Sequence, residues 1–144
     1  MPDRAIATIA DCRYNYGAGS NQREQVTTMT TYYHGSNNEH KLHAGICLTR
    51  REEVAKSYGS NVAKYEFSFG DLNIVELYFC DEEVRRQYEE NKYPGDTQAE
   101  IDGYISRGVD GIIYSDYDMN GNPHRTLRLF SDAALAQLQQ QVAA

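Results

Sequence analysis

The apolar residues of this chain come in short runs, and none approaches the roughly 18 residues that a membrane-spanning helix requires. The clearest runs are rich in β-branched and aromatic residues and are closed by Gly, Asn or Pro, which is typical of short strands that end in turns. Segments with helical character lie in the middle and at the end of the chain and do not alternate with the strands. This order favours an α+β sheet fold over a repeated βαβ arrangement.

The individual elements are predicted from periodicity and from capping residues. Strands are expected over residues 30–34, 45–49, 61–69, 72–77, 109–116 and 126–130. Helices are expected over residues 50–58, 82–91, 97–106 and 132–141. Thr49, Asp81 and Ser131 are the expected N-caps of the first, second and last of these helices, and Gly59 is expected to end the first. Residues 118–123 predict a tight hairpin loop.

A chain of 144 residues is the size of one domain with a single core. The 12 tyrosines supply much of the apolar volume of that core. Residues 1–29 contain a Gly-, Asn- and Ser-rich stretch without strand or helix periodicity, so they are interpreted as an N-terminal arm or a loosely packed extension. Residues 30–144 are interpreted as the single folded domain.

The net charge limits the classes of binding partner, and the cysteine content predicts the redox state of the thiols. The formal net charge of −7 argues against strong direct binding to nucleic acid or to an anionic membrane surface, because both require clustered cations. The three cysteines are scattered and odd in number, which predicts reduced thiols. With no signal-peptide layout at the start, the expectation is a soluble, cytoplasmic protein, located in the host cytoplasm if a phage encodes it.

Three short motifs occur in an order that is informative as a set. Tyr-Tyr-His-Gly-Ser over residues 32–36 ends the first predicted strand, Gly-Ile-Cys-Leu-Thr over 45–49 forms the second, and Ala-Lys-Ser-Tyr-Gly over 55–59 ends the helix that follows. This series resembles the opening of the His-Tyr-Glu branch of the ADP-ribosyltransferases, the branch of diphtheria toxin and the poly(ADP-ribose) polymerases. Gly-Val-Asp-Gly-Ile-Ile over 108–113 and the strand over 127–130 resemble its C-terminal part. The resemblance implies a split antiparallel sheet with peripheral helices.

The same resemblance implies that the chain uses NAD+. Cleavage of the bond between nicotinamide and ribose passes through a cationic, oxocarbenium-like sugar, so the site must orient the dinucleotide and place a negative group near the developing charge. His34 is expected to bind a ribose hydroxyl as a neutral imidazole, and Gly35 to bring its backbone close to the nicotinamide carboxamide. Ser36 and Thr49 are the other expected cofactor contacts, and Tyr58 is expected to stack on the nicotinamide ring.

The chain departs from the family pattern at the acidic residue. A Glu commonly stands near the start of the strand before the final helix, but residues 123–128 read Pro-His-Arg-Thr-Leu-Arg and contain no carboxylate. Asp116 is the first substitute, because type I-F anti-CRISPR ADP-ribosyltransferases of phages resemble this chain in placing an acid after a similar strand. Asp118 is the second substitute. Asp71 is the third, by resemblance to the rifamycin ADP-ribosyltransferases.

These features predict that the protein is an NAD-dependent mono-ADP-ribosyltransferase with His34, Tyr58 and Asp116 as its catalytic residues. The expected acceptor is a protein, with a component of a CRISPR effector as one candidate, which would make the chain a phage anti-defence protein. One alternative is an NAD-hydrolysing toxin or an enzyme that modifies an antibiotic. Another is an acidic interaction protein without catalytic activity, for which the missing Glu is the evidence. His40, His43 and Cys47 lack a fourth partner, so no metal site is predicted.

Overall fold

A computed structural model describes residues 29–141 of the chain. Within that range the protein is a mixed α+β structure with seven strands and four helices. The strands are β1 (Thr30–Ser36), β2 (Ile46–Thr49), β3 (Asn61–Phe67), β4 (Ile74–Glu76), β5 (Gly111–Tyr117), β6 (Pro123–Leu129) and β7 (Leu138–Gln141). The helices are α1 (Glu52–Tyr58), α2 (Asp81–Glu90), α3 (Gln98–Ser106) and α4 (Asp132–Leu135).

The described strands form one sheet in the order β4-β5-β6-β2-β1-β3-β7. All neighbouring pairs are antiparallel except β4 and β5, which run parallel. The junction between β1 and β2 is the weakest of the sheet, because only Tyr33 and Thr49 pair across it. By comparison, seven residue pairs join β1 to β3 and four join β2 to β6. The sheet therefore parts between β1 and β2 on either side of one pair.

Within residues 29–141, buried side chains form two core clusters. Alternation along β3 buries Ala63, Tyr65 and Phe67, and these join the larger cluster with residues of β2, β6 and β7. The second cluster contains Ile112 and Tyr114 of β5 and packs against α3. Because successive residues of a strand point to opposite faces, β5 contributes Ile113 to one cluster and its neighbours to the other.

Several predicted helix ends are confirmed. Ser131 is the N-cap of α4, and Thr97, at the predicted start of the third helix, is the N-cap of α3. Their hydroxyls accept hydrogen bonds from the backbone N–H groups three residues further along the chain. Gly59 ends α1, and a Cβ built on it would stand 2.3 Å from the carbonyl carbon of Ser36. Glycine is therefore required there by close packing of the chain against the end of β1.

Two predicted caps are wrong. Arg51 is the N-cap of α1, which begins at Glu52, and the buried Thr49 accepts a hydrogen bond from the backbone N–H of Arg51 instead. The N-cap of α2 is Cys80, so Asp81 is the first residue of that helix and not its cap. In both cases the helix boundary lies one or two residues away from the residue with the preferred capping side chain.

The predicted final helix is wrong over its second half. Helix α4 ends at Leu135, and residues 138–141 form β7, which pairs with β3 at the edge of the sheet. A Gln-rich segment has reasonable helix propensity. Here pairing with the exposed edge of β3 and burial of Leu138 in the larger cluster override it.

Two remaining predictions concern the ends of strands and the N-terminal segment. Strand β1 continues two residues beyond His34, through Ser36, and β6 begins three residues before the predicted start. The arm predicted for residues 1–29 lies almost wholly outside the described residues. No helix in the described range is both long and apolar enough to cross a membrane.

Candidate functional site

A cavity of about 510 Å³ opens where β1 and β2 part. This volume falls in the range of small-ligand pockets, roughly 300–1,000 Å³. Its lining comes from β1, β2, α1, α2, β5 and β6, from the loop between β5 and β6, and from the segment that joins α2 to α3. The lining residues are Tyr33, His34, Gly35, Cys47, Leu48, Thr49, Ala55, Tyr58, Tyr88, Asn91, Tyr93, Asp96, Tyr114, Asp116, Tyr117, Met119, His124, Thr126 and Arg128.

His34 stands on β1 at the wall of this cavity, with His40 against it. The two Nδ1 atoms lie 2.8 Å apart, so one ring donates a proton and the other accepts it. Burial, followed by repulsion from His40 and His43, lowers the pKa of His34 from 6.5 to about 4. His34 is therefore a neutral imidazole at physiological pH. Because its Nδ1 is engaged with His40, Nε2 is the ring nitrogen of His34 left for the predicted contact with a ribose hydroxyl.

Gly35 lines the cavity at a position where α1 packs too closely for any side chain, a constraint that the sequence did not indicate. A Cβ built on Gly35 would stand 1.8 Å from the carbonyl oxygen of Ala55 in α1. A side chain is excluded there, because α1 packs directly on the backbone of β1. The absence of a side chain thus positions the helix that carries Tyr58, and it also leaves the Gly35 backbone at the cavity wall.

Tyr58 ends α1 and lines the cavity, where its hydroxyl reaches β5 and β6. Its hydroxyl donates a hydrogen bond to the carbonyl oxygen of Tyr117 at 3.2 Å and lies 3.4 Å from Nε2 of His124. Burial is the main cause of a raised pKa for Tyr58, so this hydroxyl remains protonated. The side chain is 38% exposed, which leaves part of the ring face free to contact a ligand.

Asp116 is the carboxylate of the cavity that has no cation paired with it in the described part of the chain. One of its oxygens accepts the backbone N–H of Tyr117 at 2.7 Å, and the other accepts the hydroxyl of Thr126 at 3.4 Å. Only 8% of the residue is exposed. Burial, partly offset by these hydrogen bonds, raises the pKa of Asp116 from 3.8 to about 6. Above that pH the cavity wall carries a negative charge with little hydration.

The two other candidate acids lie outside the cavity lining. Asp118 is buried in the β5–β6 hairpin, where it accepts hydrogen bonds from the backbone N–H groups of Asn120 and Asn122, both at 2.8 Å. Its oxygens are thus occupied in shaping the turn. Asp71 is exposed in the turn after β3. Of the three candidate acids, only Asp116 is brought together with His34 and Tyr58.

Thr49 and Ser36 differ in their relation to the cavity. Thr49 lines it from β2, where it forms half of the single residue pair that joins the two parts of the sheet. Ser36 is not among the lining residues, and its hydroxyl accepts the backbone N–H of Asn38 at 3.0 Å, which stabilises the turn after β1. The structure therefore brings together five of the six predicted site residues, namely His34, Gly35, Thr49, Tyr58 and Asp116.

Arg128 is a site residue that sequence reasoning missed. It is the one cationic side chain other than histidine among the described residues that line the cavity. Its Nε donates to the carbonyl oxygen of Gly45, and its Nη1 donates to the carbonyl oxygen of Pro94 and to Asp96, all at 2.8–2.9 Å. These bonds tie the segment between α2 and α3 to the sheet. A signal was present, since alternation along β6 puts His124, Thr126 and Arg128 on one face.

Aromatic residues from the α2–α3 side were also missed. Tyr88 and Tyr93 line the cavity, and the ring of Tyr88 lies edge-on to Tyr117 with centroids 5.4 Å apart. The backbone N–H of Tyr93 donates to Asp96 at 2.7 Å, so the ion pair between Asp96 and Arg128 also fixes this tyrosine. Nothing local in the sequence marks these two rings, because they reach the cavity only through the packing of distant segments.

The prediction that His40, His43 and Cys47 form no metal site concerns side chains that all lie in the described range. That range contains no group of three or more His, Cys, Asp or Glu side chains arranged to hold a metal ion.

Comparison of the chain with protein-family models, with curated proteins and with solved structures finds no match.

Proposed function

We propose that this protein is an NAD-dependent mono-ADP-ribosyltransferase whose active site is the cavity between β1 and β2. The observation that carries the proposal is the convergence of His34, Tyr58 and Asp116 on one cavity of about 510 Å³. The three residues come from β1, α1 and β5, so no local feature of the chain requires them to meet. Cleavage of a glycosidic bond to nicotinamide needs an orienting group, an aromatic surface and an anion, and these residues supply one of each.

The chemistry of the walls fits a dinucleotide. Neutral His34 offers hydrogen bonds to a ribose hydroxyl, and the half-exposed ring of Tyr58 offers a stacking surface for a planar, electron-poor ring. Tyr88 and Tyr93 offer further aromatic surface in the same cavity. Arg128 is the one Arg or Lys among the described lining residues, and two backbone carbonyls hold its guanidinium in place, but Asp96 compensates its charge, so it offers a pyrophosphate hydrogen bonds rather than net positive charge.

Asp116 supplies the electrostatic part of the reaction. As nicotinamide departs with the electron pair of its bond to the ribose, positive charge develops on the sugar. A carboxylate that is buried and not paired with a cation interacts strongly with that charge, because little water screens it. Asp96, the other carboxylate among the described lining residues, is neutralised by Arg128 at 2.8 Å and is therefore a weaker candidate for this role.

The proposal is tested by incubating the purified protein with labelled NAD+ and a host-cell lysate. Release of nicotinamide together with label on a macromolecule is the expected result. Asp116→Asn should reduce nicotinamide release by about 100-fold, the effect of removing one well-placed electrostatic group. Asp71→Asn is the matched control, because it removes an exposed carboxylate outside the cavity, and it should leave the rate unchanged.

Other outcomes of the same assay separate the competing functions. Free ADP-ribose without a labelled macromolecule would identify water or a small molecule as the acceptor, as in an NAD-hydrolysing toxin or an antibiotic-modifying enzyme. Absence of nicotinamide release at high protein concentration would exclude the enzyme and leave the acidic interaction protein. A protein acceptor, including a component of a CRISPR effector, would appear as a single labelled band that mass spectrometry can identify.

A further inference from the structure

Helix α1 contacts both parts of the sheet that separate at the junction of β1 and β2. It packs on β1, where Gly35 leaves no room for a side chain. Its last turn contacts the β5–β6 hairpin instead. There the hydroxyl of Ser57 accepts the backbone N–H of Met119 at 3.3 Å, and the hydroxyl of Tyr58 reaches the facing ends of β5 and β6. Tyr58 therefore lies where the helix bridges the two parts of the sheet.

The direction of the hydrogen bonds at the Tyr58 hydroxyl follows from its two partners. A backbone carbonyl oxygen can only accept, so the Tyr58 proton points to the carbonyl oxygen of Tyr117, 3.2 Å away. The oxygen of Tyr58 is then the acceptor toward Nε2 of His124 at 3.4 Å. The two rings also meet edge to face, with centroids 6.4 Å apart. This contact requires the ring proton of His124 on Nε2.

The other nitrogen of the His124 ring leads to the same tautomer. Burial lowers the pKa of His124 by more than the backbone of Arg125 raises it, so the ring carries one proton at physiological pH. Its Nδ1 is buried and has no hydrogen-bond partner within residues 29–141. A bare nitrogen tolerates such a position better than an N–H group, since buried N–H donors without an acceptor are rare. The single proton therefore belongs on Nε2.

We infer that His124 is the positioning residue of Tyr58, with its Nε2–H donating to the Tyr58 hydroxyl and holding the ring at the cavity wall. The use of that ring to stack on nicotinamide rests on the proposed function, whereas the hydrogen bond does not. Because the hydroxyl gives its proton to Tyr117, Tyr58 acts on a ligand through its ring and not as a proton donor. His124 pairs with Asp116 across β5 and β6, so the same contact fixes the ring relative to the Asp116 carboxylate.

The tautomer can be measured on the wild-type protein without any ligand. The nitrogen chemical shifts of the His124 ring, recorded by NMR at neutral pH, distinguish a protonated nitrogen from a bare one. The expected result is a proton on Nε2 and a bare Nδ1. A proton on Nδ1 would overturn the inference.

Two substitutions of His124 separate the roles of its ring nitrogens. Gln places an amide nitrogen near the position of Nε2, whereas Asn places one near that of Nδ1. His124→Asn should lower kcat/KM for nicotinamide release about tenfold, and His124→Gln should stay within about threefold of the wild type. His43→Asn, at an exposed histidine outside the cavity lining, is the matched control and should leave the rate unchanged. Circular dichroism verifies that each variant is folded.

Removal of the Tyr58 hydroxyl completes the test. In Tyr58→Phe the acceptor of the His124 proton is absent, so adding His124→Asn should cause no further loss beyond about twofold. An undiminished tenfold loss in the Tyr58→Phe background would overturn the positioning role, as would equal rates for folded His124→Asn and His124→Gln. If the wild-type protein releases no nicotinamide, the proposed function is refuted, and the NMR measurement alone decides the hydrogen bond.

Discussion

The Nδ1 atoms of His34 and His40 lie 2.8 Å apart, and His40 is, after burial, the second cause of the lowered pKa of His34, the histidine that lines the cavity. One proton lies between these two nitrogens, so the contact breaks when both Nδ1 atoms are protonated. His40 also carries a buried Nε2 that has no hydrogen-bond partner in the described part of the chain. Acid that charges both rings therefore breaks the contact.

Substitution of His40 tests this relationship. His40→Ala admits water to His34 and removes a competing positive charge, so the pKa of His34 should rise from about 4 toward 6.5. An NMR titration of the His34 ring protons measures the shift. His43→Ala is the control, because His43 contributes the smallest of the three effects on the pKa of His34. An unchanged His34 titration in His40→Ala would contradict the assigned contact.

Asp116 should reduce stability at neutral pH. Its pKa is about 6 in the folded protein and 3.8 ordinarily, so the folded state binds the proton more tightly and stability falls as pH rises through this interval. The full difference corresponds to about 3 kcal/mol above pH 6. Asp116→Asn should therefore raise the free energy of unfolding at pH 8, with a smaller gain at pH 4. Urea denaturation at the two pH values provides the measurement.

The control for this prediction lies in the same hairpin. Asp118 is also buried, but the backbone N–H groups of Asn122 and Asn120 donate to it and its pKa is lowered despite the burial. Asp118→Asn should destabilise the protein at pH 8 by about 1–3 kcal/mol. Equal signs for the two variants would show that Asp116 is held as a structural carboxylate, like Asp118.

Gly35 fixes the distance between β1 and α1. Gly35→Ala places a methyl group 1.8 Å from the Ala55 carbonyl oxygen, so α1 must move and stability should fall by about 3 kcal/mol or more. Thermal unfolding followed by circular dichroism measures the loss. Gly103→Ala is the control, since a Cβ there meets only Arg107 at 3.6 Å within a helix, and it should stabilise by about 0.5–1 kcal/mol. A Gly35→Ala variant of wild-type stability would contradict the close approach of α1.

Arg128 holds the α2–α3 segment through geometry that lysine cannot reproduce. One ammonium cannot reach the Gly45 and Pro94 carbonyl oxygens and Asp96 together, so Arg128→Lys should cost about 2 kcal/mol of stability. It should also weaken NAD+ binding about tenfold, which isothermal calorimetry measures. Arg85→Lys, in an exposed ion pair, should change neither quantity appreciably. Wild-type affinity in Arg128→Lys would remove the residue from the binding site.

Local patterns predicted those parts of the fold that depend on neighbouring residues. The alternation of Tyr65 and Phe67, the cap at Ser131 and the hairpin turn at Asp118 are all readable within a few positions. Strand β7 was not predicted, because residues 138–141 form a strand instead of a helix through pairing with the edge of β3, which no local pattern shows.

The residues of the candidate site also fall into those that neighbouring sequence predicted and those that only the folded structure brings together. His34, Gly35, Thr49 and Tyr58 lie within 25 positions of one another and were predicted as one set. Arg128 and Asp96 meet across 32 positions, and Tyr93 depends on that ion pair, so no local pattern indicates them. Asp116 was predicted by resemblance, whereas its isolation from any paired cation in the described range is visible only in three dimensions.

A crystal structure of the protein with NAD+ is the most direct test of the central claim that one cavity receives the dinucleotide. The predicted result is density in the cavity where β1 and β2 part, with the nicotinamide ring against Tyr58, a ribose hydroxyl within hydrogen-bond distance of His34 and the Asp116 carboxylate facing that ribose. An empty cavity at saturating NAD+, or the dinucleotide bound on another surface, would contradict the claim.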